Sequence, residues 1–175
     1  SPPGLLLLTS FLLHVEEGHA SPTRLVCDNR LIQKYIEEAK DMEKRVGQCQ
    51  ALPTLRCPAL LPLVEFNLQQ WKSKSNETKQ REILCDLALL VGTVAGAQSQ
   101  VTDCGARQLS QLYQRTNSFL LLLQTFGWEE GSWEPGCSPR SMEQTHVTSI
   151  FFTYRQLVRG KLRFFFHDLA KDSCK

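Results

Sequence analysis

Histidine is scarce in this sequence, four in 175 residues, and none sits in a pattern that chemistry uses. His14 and His19 fall in an N-terminal apolar stretch expected to be removed, which leaves His146 and His167. No Gly-x-Ser-x-Gly elbow, Gly-x-Gly-x-x-Gly turn or phosphate loop occurs, so the usual seats of a nucleophile or a nucleotide are missing. Cys-x-x-Cys, His-Glu-x-x-His and finger spacings are missing too, and no zinc site is expected. Asp28, Asp103 and Asp168 read as helix caps or surface charges. The expectation is a protein that is not an enzyme and carries no cofactor or metal.

Membrane-length apolar runs are also lacking. Residues 5–13 are almost continuously apolar but too short to span a bilayer. Polar residues follow, then Gly18, His19 and Ala20, with small side chains where a signal peptidase reads them. A basic leading region and an initiator Met are absent, so residues 1–20 look like a signal peptide trimmed at its start. Cleavage after Ala20 leaves residues 21–175 as one secreted, extracellular domain, with no membrane insertion expected. Glu16 and Glu17 leave with the leader, so 20 basic residues face 16 acidic ones and the charge rises from +2 to +4. That is well short of a nucleic-acid-binding composition.

Seven cysteines lie beyond the leader: Cys27, Cys49, Cys57, Cys85, Cys104, Cys137 and Cys174. In an oxidising compartment disulfides are the default, and the odd count leaves at least one cysteine without a partner inside the chain.

The chain holds four amphipathic stretches. The first runs from Asp28 to about Gln48, with Leu31, Ile32, Tyr35, Ile36, Ala39, Met42 and Val46 at helical spacing and Asp28 or Asn29 suited to cap it. Pro53, Pro58 and Pro62 then exclude helix and mark a long connection. Residues 64–71 fit either a short strand or a turn of helix. A second helix reaches about Ala97, burying Ile83, Leu84, Leu87, Leu90, Val91 and Val94. At its start Asn76, Glu77 and Thr78 form a glycosylation sequon, which suggests an exposed helix end. After a short link a third helix runs from about Ala106 to Phe126 and is stopped by Gly127. A second long loop, rich in Gly, Pro and Ser, covers residues 128–140. The fourth helix spans residues 150–170. No internal repeat, low-complexity tract or convincing strand pair is present.

Connections that are long, short and long make an all-α, up-up-down-down four-helix bundle with two long crossover loops. In that topology Cys27 and Cys174 meet at one end, and Cys49 and Cys104 at the other. For the rest, Cys85–Cys137 is preferred, because the second crossover passes near the second helix. Cys57–Cys137 and Cys49–Cys57 compete with it.

The fourth helix has two sides. Phe151, Tyr154, Val158, Leu162, Phe165 and Leu169 share a core stripe, while Gln156, Arg159, Gly160, Arg163 and Phe164 fall opposite. Arginines, a glycine and an aromatic side by side have the composition of a protein–protein contact centre. A plain solvated basic face, or a heparin-binding one, is the competing reading.

Three stretches resemble one family. Residues 27–40 (CDNRLIQKYIEEAK) are similar to the first helix of the erythropoietin/thrombopoietin cytokines. Residues 61–72 (LPLVEFNLQQWK) and 149–164 (SIFFTYRQLVRGKLRF) resemble the thrombopoietin branch more closely. The odd cysteine and the tryptophan-bearing loop suggest a divergent, non-mammalian vertebrate member. The resemblance implies a monomeric secreted haematopoietic hormone that pairs two copies of a class I cytokine receptor. The thrombopoietin receptor is expected, with the erythropoietin receptor as the alternative. It further implies a first, stronger face made of Pro62, Lys72, Gln156, Arg159, Gly160, Lys161, Arg163 and Phe164. A second, weaker face would use Asp28, Arg30 and Lys34, with Asn117 standing where the family has an arginine. Arg115 could take that role only with a shift of register.

Overall fold

The structure, a computed structural model, describes residues 22–126, 137 and 141–174. The leader at residues 1–20 with its cleavage point, the stop at Gly127, and residues 128–136 of the second long loop lie outside the described residues.

A short helix unforeseen in the sequence, α1 (Pro22–Cys27), precedes the first long one, α2 (Asn29–Gly47). Asp28 caps α2, its carboxylate accepting from the Arg30 backbone N–H at 3.0 Å. After strand β1 (Ala59–Pro62), Asn67 caps the small helix α3 (Leu68–Ser73). Ser75 caps α4 (Asn76–Gln98), which leads through a short link to α5 (Ala106–Gln124). Gly105 makes that link tight. Its φ of 93° is a left-handed conformation, and a Cβ there would stand 3.3 Å from Leu52 Cδ2. Strand β2 (Ser141–Gln144) precedes the fourth rod, which is α6 (Val147–Leu157), a π turn (Val158–Leu162) and α7 (Arg163–Ser173) in unbroken right-handed backbone.

Four rods form an up-up-down-down bundle, and contacts at both ends define its directions. Cys27–Cys174 ties the start of α2 to the end of α7, with Cα atoms 5.6 Å apart. Cys49–Cys104 ties the end of α2 to the start of α5 at 5.8 Å. Lys79, near the start of α4, donates to Asp168 of α7 at 2.7 Å. Arg155 of α6 pairs with Glu43 near the end of α2. The core fills the space between the rods. Its fourth-rod share includes every residue of the expected stripe, with Ile150, Leu157 and Phe166 added. Trp71 of α3 is buried as an anchor under the first crossover.

The two crossovers are hydrogen-bonded to each other, contrary to the expectation of no strand pair. β1 and β2 pair antiparallel, with Leu60 opposite Glu143 and Leu61 opposite Met142. Four-residue strands are too short to show an alternation in sequence. β1 also rests on α4, where the Thr93 hydroxyl donates to the Leu60 carbonyl at 2.6 Å. Cys85, half-buried on α4, meets the second crossover through a disulfide to Cys137, and Cys57 is left free and exposed.

Each end-to-end bridge closes a long loop. Replacing Cys27 and Cys174 together by Ser should lower unfolding free energy in guanidinium titrations by about 3–5 kcal/mol. Cys57→Ser, at an exposed and unbridged position, should stay within about 0.5 kcal/mol of the native chain.

Candidate functional site

The outward side of the fourth rod presents separated cations. Arg159 is exposed and donates to Gln156 Oε1 at 2.9 Å. Arg163 is exposed too, its guanidinium 4.8 Å from the centre of the Phe164 ring. Lys72, on α3, is exposed. Beside Arg163 a groove of about 350 Å³ runs between the start of α2 and α7. Apolar Val26, Ile32 and Phe166 and polar Asn29, Arg163 and His167 help to line it. The large exposed aromatic on this rod is Phe152, 46% accessible, with Arg155 stacked 5.3 Å from its centre.

Several residues expected on this face lie elsewhere. Pro62 is buried at the end of β1. Gly160 is not a bare patch, since a Cβ there would come within 2.7 Å of Phe66 Cε1 from the first crossover. Phe164 is half-buried, stacked edge-on against Phe66 with centroids 5.8 Å apart. Phe66 in turn stacks on Trp71 at 5.5 Å.

Lys161 is the largest departure, for only 2% of it is exposed. Regular α-helix spacing sends it to the flank, but in the π turn it points inward, where two carboxylates of α4 receive it. Its ammonium donates to Asp86 at 2.9 Å, to Glu82 at 3.2 Å and to the Leu63 carbonyl at 3.2 Å. Lys74 completes the cluster, 2.8 Å from the other oxygen of Glu82. Burial pushes the Asp86 carboxyl up to about 6, against the pull of Lys161. Glu82 goes the other way: burial raises it, but Lys74 and Lys161 together hold it below the usual carboxylate range. Sequence reasoning misses Glu82, Asp86, Phe66 and Lys74. The signal that could have found the acidic pair is its spacing of four residues, with Asp86 beside Ile83, Leu87 and Leu90 on the core stripe of an otherwise apolar helix.

The second set lies where α2 meets α5. Arg30 is exposed and bridges back to Asp28, and Lys34 is exposed one turn on. Arg115 faces α2 without any change of register, donating twice to Glu38 at 2.7 and 2.8 Å and stacking 4.9 Å from the centre of the Tyr35 ring. Burial disfavours the Arg115 charge, but Glu38 more than offsets this and raises its pKa. Asn117, two residues on, lies about 160° around the helix from Arg115 and is half-buried. Asn76 sits in the first turn of α4, half-buried, with Glu77 and Thr78 exposed beside it.

A bundle with these crossovers and end-to-end disulfides has the form of a helical cytokine. The sequence model of the family described as erythropoietin/thrombopoietin matches residues 24–175. The chain belongs to the erythropoietin/thrombopoietin family. Dog (Canis lupus familiaris) thrombopoietin is 32% identical over 163 residues, covering 91% of this chain and 45% of that relative. Mouse (Mus musculus) thrombopoietin is 32% identical over 161 residues, or 91% of this chain and 44% of the relative. Rat (Rattus norvegicus) erythropoietin is 28% identical over 177 residues, or 93% and 92%. The chain thus spans about half the length of the thrombopoietins it matches. Among the described residues no helix is long and apolar enough to cross a membrane.

Proton linkage gives the Asp86 carboxyl a signed effect on stability. Its folded pKa of about 6 stands above the ordinary 3.8, so between those values the folded state holds more protons than the unfolded one. The Asp86 contribution to stability is therefore greatest at acid pH and falls as pH rises towards 6. Comparing unfolding free energies of native and Asp86→Asn proteins from pH 4 to pH 7 should show this. Their difference should move against the native chain by a few kcal/mol across that window, since a tenfold change in proton affinity is worth about 1.4 kcal/mol.

Proposed function

We propose that this chain is a secreted haematopoietic cytokine that brings two copies of a class I cytokine receptor together through two faces of one bundle. Family membership carries this reading. Identity of 32% to dog thrombopoietin, against 28% to rat erythropoietin, favours the thrombopoietin receptor and the megakaryocyte and thrombocyte lineage. The first face comprises Lys72, Arg159 and Arg163, flanked by Gln156, Gly160 and Phe164. These exposed cations around a half-buried aromatic suit a receptor surface that offers carboxylates and an apolar side chain. The second face uses Arg30 and Lys34, steadied by Asp28, with Asn117 at its edge. Asn76 is the glycan attachment point. One hormone engages one receptor strongly by the first face and recruits the other by the second, so kinases bound inside the cell meet.

Cells bearing either the thrombopoietin or the erythropoietin receptor decide the partner. The protein should stimulate the first, and a response through the erythropoietin receptor alone would overturn the assignment. Charge reversal at Arg159 or Arg163 should abolish receptor binding while circular dichroism and disulfide content stay native. Arg30→Glu should act differently, holding one receptor in a stable 1:1 complex, blocking the second and so antagonising the native hormone.

A further inference from the structure

We propose that Lys161, with Asp86 as its anion, is a positioning residue that locks the first crossover onto the fourth rod and so shapes the first receptor face without touching the receptor. The inference rests on that face being the receptor contact, and it concerns how the face is held.

Lys161 reaches three parts of the fold at one point. It leaves the fourth rod in the π turn, meets Asp86 and Glu82 on α4, and donates to the carbonyl of Leu63 in the first crossover. One residue before it, Gly160 leaves the space that Phe66 fills, and Phe66 lies against both Phe164 and Trp71. On the far side of the segment Lys74 returns to Glu82 and stacks 5.5 Å from the Trp71 ring centre. Residues 63–74 are thus pinned at both ends to one charge cluster, buried at Lys161 and Asp86 and half-exposed at Lys74 and Glu82, and Lys72 is carried on the short helix between. Six helical residues and a loop have little intrinsic stability. Their position therefore depends on this anchorage, and a preorganised face binds more tightly than one ordered on binding.

Stability and positioning are separable here. A buried ion pair replaced on both sides by apolar side chains of similar size is often neutral for folding. The variant Lys161→Met with Asp86→Leu removes the link to Leu63 while leaving Lys74–Glu82 in place. Its melting temperature should stay within about 5 °C of native. Amide hydrogen exchange in residues 63–74 should accelerate about tenfold or more, with the bundle helices unchanged. Binding to the soluble extracellular domain of the thrombopoietin receptor should weaken by about tenfold or more. Native exchange or native affinity in this folded variant overturns the proposal. Should it fail to fold, Lys161→Gln with Asp86→Asn decides instead. That pair is uncharged and its glutamine is one bond shorter than the lysine that reaches Leu63, so faster exchange in residues 63–74 with weaker binding supports the proposal and native behaviour in either overturns it. Arg163→Glu runs alongside as a control. If it also binds normally, the receptor face itself is wrong, whereas its loss of binding beside a fully active double variant refutes positioning alone.

Discussion

An ammonium group with 2% of its residue exposed persists in a helical core only where anions and a carbonyl replace its water. Lys161 has both, and what it organises extends beyond its own pair. It lies in the π turn of the fourth rod, joins that rod to α4, and bonds the first crossover at Leu63. Four charges, Lys74, Lys161, Glu82 and Asp86, balance to zero within one pocket between three elements. At its centre Lys161 and Asp86 are the buried pair, and removing either one alone strands the other's charge, which is far more damaging than replacing both. The cluster therefore acts as a whole, and its geometry reaches the surface through Gly160, Phe66 and Phe164.

The ends of the bundle are held by different means. Cys27–Cys174 is joined at its end by the part-buried pair Lys79–Asp168, and Cys49–Cys104 lies at the end where Arg155 meets Glu43. Between them the two crossovers are not free straps. They share a ribbon, β1 with β2, and the second is bridged to α4 by Cys85–Cys137. Long loops close with little extra entropy as they lengthen, so a few such ties are enough to give them one position. That arrangement lets Lys72, on the crossover helix α3, and residues of the fourth rod serve as parts of one proposed surface.

The two proposed faces differ in how their charges are held. On the fourth rod Arg159 and Arg163 meet an amide and a ring, which leaves their charge available to a partner. At the seam of α2 and α5, Arg115 is already engaged by Glu38 and Tyr35, leaving Arg30 and Lys34 as the exposed cations of the proposed second face. That difference in available charge accords with the proposal of a stronger and a weaker face.

Much of the architecture is legible in the sequence alone. Helical spacing places all four long rods, because apolar periodicity records burial directly, and Asp28 announces the cap of α2. Loop lengths and the positions of Cys27, Cys49, Cys104 and Cys174 are enough for the topology, since both pairs meet only in an up-up-down-down bundle. Family segments at residues 27–40, 61–72 and 149–164 name the class of molecule. Only the tertiary structure decided what each residue of the outward helix does. A wheel drawn at 3.6 residues per turn cannot foresee a π turn, and it leaves Lys161 on the flank when the turn carries it inside. Nor can it show that Phe66, from the far end of the first crossover, covers Gly160 and takes Phe164 partly out of water. Those facts depend on contacts between segments far apart in the chain. The strand pair between the crossovers stays unseen for the same reason, and Cys85–Cys137 is preferred over its competitors until the structure shows it, because the ends of a long loop do not determine its path.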